Sequence, residues 1–214
     1  MNSYKLVYAS ESDITADKFW NNVDYALISN YPWDDNGYKP EVRVRAIYTN
    51  KGISVCFESF ETKIKAEYTQ QNDPVYNDSC VEFYVNPSPE TDNRYMSFEI
   101  NSIGTISVGI GTTNSDREKV YVEDPVGFYG IKASETKESV QNYHKDCWAV
   151  SFTVPYELLD KYYTGLDFKT GKVFKGNFNK IGSMPAKHYG CWNKIENDIP
   201  KFHLPQYFGD MICD

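Results

Sequence analysis

Short runs of alternating apolar and polar residues, each followed by a turn signal, recur along most of this chain. This pattern is typical of half-buried β-strands, because successive side chains of a strand point to opposite faces. Two modest helices are predicted, one around residues 13 to 22 with Ser12 or Asp13 as N-cap and one in PYELLDKYY. The strand candidates, roughly ten in number, include EVRVRAIYT, ISVCFESFE, SCVEFYVNP, YMSFEIN, ISVGIG, FYGIKAS, CWAVSFTVP, GKVFKGNFNKIG and HYGCW. We therefore predict an all-β fold, an antiparallel, jelly-roll-like β-sandwich in which residues 1–214 form a single domain.

One predicted hairpin has two chemically different faces. Its strands are SCVEFYV and YMSFEIN, and they pair antiparallel across the loop at residues 86–94. If the apolar residues of both strands share one face, period-two alternation places all the remaining side chains together on the other. The apolar face consists of Val81, Phe83, Val85, Met96, Phe98 and Ile100. The second face, called the polar face below, consists of Cys80, Glu82, Tyr84, Tyr95, Ser97, Glu99 and Asn101.

Two interpretations of the polar face remain open from the pattern alone. It is either the solvated outside of the sandwich, as is usual in antiparallel sheets, or the floor of a binding site. Exposed faces more often carry Lys, Thr and Glu than Cys, Tyr and Asn. The carboxylates of Glu82 and Glu99 need a cation, a shared proton or hydroxyl donors if they lie together in a concavity. Sugars supply hydroxyls in pairs, and aromatic rings cover the apolar C–H surface of a pyranose, so the cluster favours polyol recognition.

The charge and hydropathy of the chain argue against two classes of partner. The formal net charge is −8, and no block of basic residues is present, so the electrostatic footprint of a nucleic-acid-binding protein is missing. No apolar run approaches the ~18 residues that a membrane span requires. We therefore predict no nucleic-acid partner and no membrane partner.

The five cysteines are scattered and form no CxxC pair, which indicates buried thiols in a reducing compartment. The first residues, MNSYKLVYASESD, contain neither the basic nor the apolar region of a signal peptide. Together these features predict a cytoplasmic protein. An extracellular location is the alternative if a leader has been removed from the chain.

Several segments resemble one known family. DSCVEFYVNP followed by YMSFEINSIGTI is similar to the core of family 9 carbohydrate-binding modules, in particular to the stand-alone family 9-like proteins of bacteria. The similarity runs in the same order from about residue 40 to residue 209. The other matching segments are CWAVSFTVPYELL, GNFNKIG, HYGCWN and KFHLPQYFG. The resemblance implies a β-sandwich that binds a sugar between two stacked aromatic rings.

The resemblance also implies roles for individual residues. Trp192 matches one ring of the aromatic clamp, and Tyr76 holds the place of the second ring, which is a tryptophan in the family. Glu82 matches the family's acidic hydrogen-bonding residue, and Asn101 matches a polar residue of the following turn. Glu99 occupies a position that is an arginine in some sugar-binding members and a glutamate in the family 9-like branch.

A few further polar residues are candidates for contacts with a sugar. Arg94 either pairs with an acid of its own loop or donates to a ligand hydroxyl. Asn177 and Asn179 point the same way on one strand and either lie at an exposed edge or add amide contacts.

The sequence contains little that indicates a metal site. His144, His188 and His203 show no metal-ligand spacing. Family 9 modules hold structural calcium, but no Asp-rich loop locates such a site in this chain. No cofactor is therefore predicted with certainty, and a structural calcium ion rests on the resemblance alone.

The predicted function is non-catalytic binding of a mono- or oligosaccharide. The first alternative is a glycoside hydrolase that uses Glu82 and Glu99 as its carboxylate pair. No Ser-His-Asp, nucleophile-elbow or P-loop pattern favours another kind of enzyme. A third hypothesis is a protein-interaction domain with a vestigial sugar site. A flat surface around Trp192 would favour this hypothesis. The sequence indicates no oligomeric state.

Overall fold

The predicted antiparallel β-sandwich is confirmed by a computed structural model, which describes residues 1–14, 19–61, 63–136, 147–184 and 186–214. The strands of the described residues are β1 (Ser3–Tyr8), β2 (Ala26–Leu27), β3 (Glu41–Tyr48), β4 (Gly52–Phe60), β5 (Cys80–Asn86), β6 (Tyr95–Asn101), β7 (Ile106–Gly111), β8 (Glu118–Lys119), β9 (Lys132–Thr136), β10 (Cys147–Pro155), β11 (Val173–Gly182), β12 (His188–Cys191) and β13 (Gly209–Cys213). The α-helices are α1 (Glu11–Ile14), α2 (Pro125–Tyr129) and α3 (Tyr156–Leu159), and 3-10 turns span Phe19–Asn22, Val75–Asn77 and Pro205–Tyr207.

The strands form two sheets that share β1. The first sheet has the order β8-β7-β6-β5-β11-β13-β1, with β12 paired to the end of β11. The second has the order β1-β3-β4-β10-β9, with β2 paired to β3. Residues 3–6 of β1 pair with β13 and residues 7–8 pair with β3, both in parallel. The chain thus crosses from one sheet to the other within a single strand, and the other strand pairs of the described residues are antiparallel.

The hydrophobic core lies between the two sheets. Phe178 of the first sheet packs edge-on against Phe57 of the second, with ring centroids 5.9 Å apart. Phe98 and Phe152 make a second aromatic contact across the core, a stacked one with ring centroids 6.0 Å apart. Trp148 of β10 is fully buried in the same cluster. The alternating apolar residues of the predicted strands therefore meet in one interior, as the pattern indicates.

Two segments fold differently from the prediction. The helix expected around residues 13 to 22 begins earlier, at Glu11, and Asp13 accepts a hydrogen bond from the backbone N–H of Ser10 as in a capping box. Residues 15–18 lie outside the described part of the chain. The strand expected over FYGIKAS is wrong in its first half, because residues 125–129 form α2. Asp124 caps this helix, and Gly130, with φ of 57°, ends it in the left-handed conformation.

Both faces of the predicted hairpin are buried. All residues of β5 and β6 are buried, including those of the polar face. A second apolar cluster packs on the polar face and includes Tyr84, Ile195, Phe202 and Phe208. The segment between β12 and β13 therefore covers much of this face, so it is not the solvated outside of the sandwich.

Burial of the cysteines is as predicted for four of the five. Cys80, Cys147, Cys191 and Cys213 are buried, whereas Cys56 is half-buried. In the described ranges, no helix is both long enough and apolar enough to cross a membrane.

Candidate functional site

The register of the hairpin brings the polar residues together as the alternation predicts. Glu82 lies directly opposite Glu99, Tyr84 opposite Ser97, and Cys80 opposite Asn101. On the other side of β5, Asn179 of β11 lies opposite Glu82. Since paired residues of neighbouring strands share a face, the polar face extends across β6, β5 and β11.

A cleft with a volume of about 390 Å³ opens over this face. Its floor comes from β5 and β6, one wall from the β7–β8 hairpin, and further walls from β11, β12 and the segment before β13. The lining side chains are Tyr76, Glu82, Tyr84, Glu99, Asn114, Arg117, Lys119, Ile181, Tyr189, Pro200, Lys201, Phe202 and His203. The cleft thus combines two carboxylates, three cations and several aromatic rings.

Arg117 reaches Glu99 because the strand between them carries almost no side chains. Gly109 and Gly111 lie on the polar face of β7, and the side chain of Arg117 crosses over them. A Cβ atom at Gly109 would come within 2.9 Å of the guanidinium, and one at Gly111 within 2.9 Å of the Arg117 backbone. A side chain at either position would displace the arginine from the floor of the cleft.

The guanidinium of Arg117 organises the floor of the cleft. Its Nη2 atom lies 2.6 Å from Oε1 of Glu99 and donates to Oγ of Ser97 at 2.5 Å. Its Nη1 atom donates to Nε2 of His203 at 2.8 Å. The side chains of Arg117 and Glu99 are only 10% and 4% exposed. This is a largely buried, charge-assisted pair, and its partners hold both groups in fixed positions.

His203 is neutral, and its contacts define its tautomer. A guanidinium can only donate, so Nε2 of the ring accepts from Arg117 and the ring proton lies on Nδ1. Nδ1 then donates to the hydroxyl of Tyr95 at 2.8 Å. Burial, followed by the positive charges of Arg117 and Lys119, lowers the pKa of His203 to about 3. The histidine therefore adds no charge to the cleft at neutral pH.

Glu82 has a different environment from Glu99. Asn179 donates to its Oε2 atom at 3.2 Å, and no cation lies as close to Glu82 as Arg117 does to Glu99 in the described structure. Burial, followed by repulsion from Glu99, raises the pKa of Glu82 to about 8, although hydrogen bonds from Tyr84 and Asn179 oppose this shift. Glu82 is therefore mostly protonated at neutral pH, whereas the carboxylate of Glu99 is paired with Arg117.

The raised pKa of Glu82 predicts a pH-dependent stability difference between the wild type and Glu82→Gln. The folded state binds this proton more tightly than the unfolded chain, whose glutamate pKa is near 4.5. The stabilisation by the proton is complete below pH 4.5 and is lost as the pH rises towards 8. We expect the melting temperature of the wild type to fall relative to that of Glu82→Gln over this interval, as measured by calorimetry. If the melting temperatures of the two proteins changed in parallel between pH 4.5 and 8, the raised pKa of Glu82 would be contradicted.

Tyr76 lies at the rim of the cleft, on the 3-10 turn Val75–Asn77, and is 50% exposed. The loop before it is fixed by Asp78, whose carboxylate accepts from the backbone N–H groups of Glu67 and Tyr68 at 3.0 Å each. The amide of Asn101 donates to Asp78 and to the carbonyl of Tyr68, both at 2.9 Å. The structure thus places the ring of Tyr76 beside the polar face.

Asn101 itself does not line the cleft. It is fully buried, its Nδ2 atom makes the two contacts above, and its Oδ1 atom accepts from the backbone N–H of Thr105 at 2.8 Å. Its amide is thereby satisfied within the protein. The expected direct contact with a sugar is replaced by a supporting role, because Asn101 holds the loop that carries Tyr76.

Trp192 is not in the cleft, in contrast to the expectation of a sugar-stacking ring. It is 6% exposed and packs in the core against Phe178, with ring centroids 5.7 Å apart, and edge-on against Tyr4 at 6.5 Å. The reason is the parity of β12: Tyr189 and Cys191 point to the polar face, so Trp192 points to the core. Tyr189, three residues earlier, is the ring of this segment that lines the cleft.

Arg94 also lies outside the cleft lining. Its guanidinium pairs with Asp92 at 2.6 Å and donates to the carbonyl of Tyr162 at 2.7 Å. Of the two interpretations of Arg94, the pair with a loop acid is therefore the one that the structure shows. Asn177 is similarly occupied, since it bonds to the backbone of Asn193 through both its amide atoms.

The described residues do not provide a side-chain set for a metal ion. In these ranges, no group of three His, Cys, Asp or Glu side chains lies close enough together to hold one. The carboxylate of Glu61 is 1% exposed, but Lys180 neutralises it with an Nζ–Oε1 distance of 3.1 Å, and Trp148 donates to it. His144 falls outside the described part of the chain. The donor set for a structural calcium ion is thus not found among these side chains.

Several lining residues escaped prediction from the sequence. Arg117, Lys119, Lys201 and His203 come from segments far along the chain, and no local pattern connects them with the polar face. One signal was available in the segment ISVGIG. Its small residues Ser107, Gly109 and Gly111 share the polar face of β7 and leave space for a long side chain from the next strand.

Comparisons with known proteins agree on one family. The sequence profile of carbohydrate-binding family 9 matches residues 14–213. The fold is similar to that of a protein from Bacteroides uniformis ATCC 8492, provisionally described as carbohydrate-binding, with a TM-score of 0.81 and 26% identity over 99% of each chain. No curated protein matches significantly.

The fold is also similar to a family 9 carbohydrate binding module from Caldicellulosiruptor kristjanssonii. Its structure in complex with glucose matches with a TM-score of 0.64 and 11% identity, over 100% of this chain and 96% of that one. Its structure in complex with cellotriose matches with the same TM-score and identity, over 99% and 93% of the two chains. At 11% sequence identity, this similarity shows that the folds are alike and nothing more.

Proposed function

This chain belongs to carbohydrate-binding family 9, and we propose that it binds a mono- or short oligosaccharide, without cleaving it, in the cleft over the polar face. One observation carries the proposal. The cleft joins an exposed aromatic ring, Tyr76, to the carboxyl groups of Glu82 and Glu99. Similar folds have been solved with glucose and with cellotriose bound, which supports a ligand of this size.

The chemistry of the cleft suits a polyol with an apolar face. The volume of about 390 Å³ is near the lower end of small-molecule sites, which fits one or a few sugar units. Tyr76 and the ring of Tyr189 offer apolar surface for the C–H groups of a pyranose. The carboxylate of Glu99 can accept hydrogen bonds from sugar hydroxyls, and the protonated Glu82 can both donate and accept them. Affinity in the micromolar to millimolar range is expected, because a small ligand buries little surface.

Titration calorimetry with a panel of mono- and oligosaccharides tests the proposal, with Tyr76→Ala as the diagnostic variant. We expect this substitution to weaken binding about tenfold or more, since it removes the exposed ring of the cleft. Stability should change by less than about 0.5 kcal/mol, because the side chain is half exposed. Tyr121→Ala is the matched control, because Tyr121 is 70% exposed and lies outside the cleft lining.

Two outcomes of this titration would contradict the proposal. The first is that the wild type binds no member of the panel. The second is that Tyr76→Ala and Tyr121→Ala affect binding equally. Either outcome would mean that the cleft is not a sugar-binding site.

A glycoside hydrolase remains the second candidate, because Glu82 and Glu99 lie opposite each other on neighbouring strands and have different hydrogen-bonding partners. Binding is favoured over catalysis because Glu99 is held by Arg117 and Ser97 at 4% exposure, which leaves it little freedom to act as a nucleophile. Turnover of aryl-glycosides that disappears in Glu82→Gln would establish the hydrolase instead. A docking surface with a vestigial site is less well supported, since a cleft and not a flat surface lies over the polar face.

A further inference from the structure

The lining of the cleft is more positive than the chain as a whole. Arg117, Lys119 and Lys201 line it, whereas Glu82 and Glu99 are its only Asp or Glu side chains among the described residues. The whole chain, by contrast, has a formal net charge of −8. A local excess of cations on an acidic protein attracts a ligand of opposite charge.

The carboxyl groups of the cleft do not neutralise its lysines. The charge of Glu99 is taken up by Arg117, whose Nη2 atom lies 2.6 Å from the carboxylate. The raised pKa of Glu82, about 8, keeps this group mostly protonated at neutral pH. With His203 neutral as well, the lining keeps a net positive charge, to which Lys119 and Lys201 contribute.

Lys119 is anchored by a neutral partner. Its Nζ atom donates to Oγ of Ser107 at 2.5 Å, and within the described ranges no Asp or Glu lies at salt-bridge distance from Lys119 or Lys201. Burial lowers the pKa of Lys119; the negative charge of Glu99 opposes this shift in part, and the positive charge of Arg117 adds to it. An anion placed beside this ammonium group would favour its charged form.

We propose that the preferred saccharide is acidic, with a uronic acid residue whose carboxylate is bound by Lys119 and attracted by Lys201. The inference rests on the proposed function, because it names the class of sugar for the same cleft. A carboxylate at C6 of a pyranose is rigidly attached to the ring, so the hydroxyls can meet Glu99 while the anion meets the lysine. Ammonium–carboxylate hydrogen bonds are charge-assisted and stronger than neutral ones.

Matched sugar pairs test this inference directly. The methyl glycosides of glucose and glucuronic acid, galactose and galacturonic acid, and mannose and mannuronic acid differ only in whether C6 is an alcohol or a carboxylate. In titration calorimetry at low salt and neutral pH, we expect the acid of at least one pair to bind about tenfold more tightly than its neutral partner. The ratio should shrink at high salt, because exposed charges are screened.

Substitutions of the two lysines test whether the preference for the acidic sugar arises in the cleft. In Lys119→Met/Lys201→Met, the ratio of acid to neutral affinity should fall towards one. Lys169→Met is the control, because Lys169 is 74% exposed, pairs with Asp167 and lies outside the cleft lining, so the ratio should stay at its wild-type value.

Two results would overturn the inference, and they differ in what they say of the proposed function. If the neutral member of every pair binds as tightly as the acid, the preference for uronic acids is wrong while sugar binding stands. If no sugar binds, neutral or acidic, both the preference and the proposed function fail.

Discussion

Replacing Arg117 by methionine is expected to lower the free energy of unfolding by about 3–5 kcal/mol, the cost of breaking a buried ion pair. Glu99 is only 4% exposed in the wild type, and the substitution removes its cationic partner. It also removes the donors to Ser97 and His203, which fix the floor of the cleft. Urea denaturation measures the loss, and sugar titration of the folded fraction should show no binding.

Arg94→Met is the matched control for this experiment. Arg94 also pairs with a carboxylate, that of Asp92, but its side chain is 42% exposed, so the loss should stay below about 1 kcal/mol. The double variant Glu99→Gln/Arg117→Met should be more stable than Arg117→Met alone, because no uncompensated charge remains buried. Equal losses in Arg117→Met and Arg94→Met would contradict a buried pair at the base of the cleft.

Trp192→Ala is expected to destabilise the protein by about 3–5 kcal/mol, the usual cost of deleting a large aromatic side chain from a core. The ring packs against Tyr4 and Phe178 and closes over Gly209, where an added Cβ atom would come within 2.5 Å of the indole. Thermal and urea unfolding measure the effect.

A second substitution at this position tests whether Trp192 is a core residue or a sugar-stacking residue. Trp192→Phe retains much of the packing, and we expect its sugar affinity to stay within about twofold of the wild type, because Trp192 does not line the cleft. If Trp192→Phe abolished sugar binding while the protein kept its stability, the tryptophan would be part of the sugar site and our assignment would be wrong.

Much of the fold follows from alternation in the sequence. The runs EVRVRAIYT and ISVCFESFE form the hairpin of β3 and β4, in which Tyr48 pairs with Ile53. The parity of SCVEFYV and YMSFEIN places Glu82 and Glu99 on the same face of the hairpin, and the structure shows that they lie directly opposite each other. The shared face is predictable because, with period two and a single apolar face, every allowed register places the same residues on the polar side.

The rest of the fold and of the cleft depends on contacts between segments that are distant in the sequence. β1 changes partner from β13 to β3 within six residues, and nothing in SYKLVY marks the residue at which it does so. Arg117 reaches Glu99 across a strand, and the Pro200–His203 segment closes the cleft from about a hundred residues away. Local pattern cannot bring such side chains together, because their positions follow from the topology of the whole sandwich.

The candidate site was therefore predicted in part. The carboxylate pair and the rim position of Tyr76 follow from parity and from the resemblance to family 9. The resemblance assigned Trp192 to the aromatic clamp, whereas Tyr189, three residues earlier and on the opposite face, is the ring that lines the cleft. Only the pairing of β12 with β11 determines which of the two rings lies beside the polar face.

The crystal structure of the protein with the tightest-binding saccharide of the panel tests the central claim most directly. We predict a sugar ring beside Tyr76, with hydroxyls at hydrogen-bond distance from Glu82 or Glu99 and with the segment Pro200–His203 along one side. A sugar bound elsewhere on the protein, with the cleft over the polar face empty, would contradict the account.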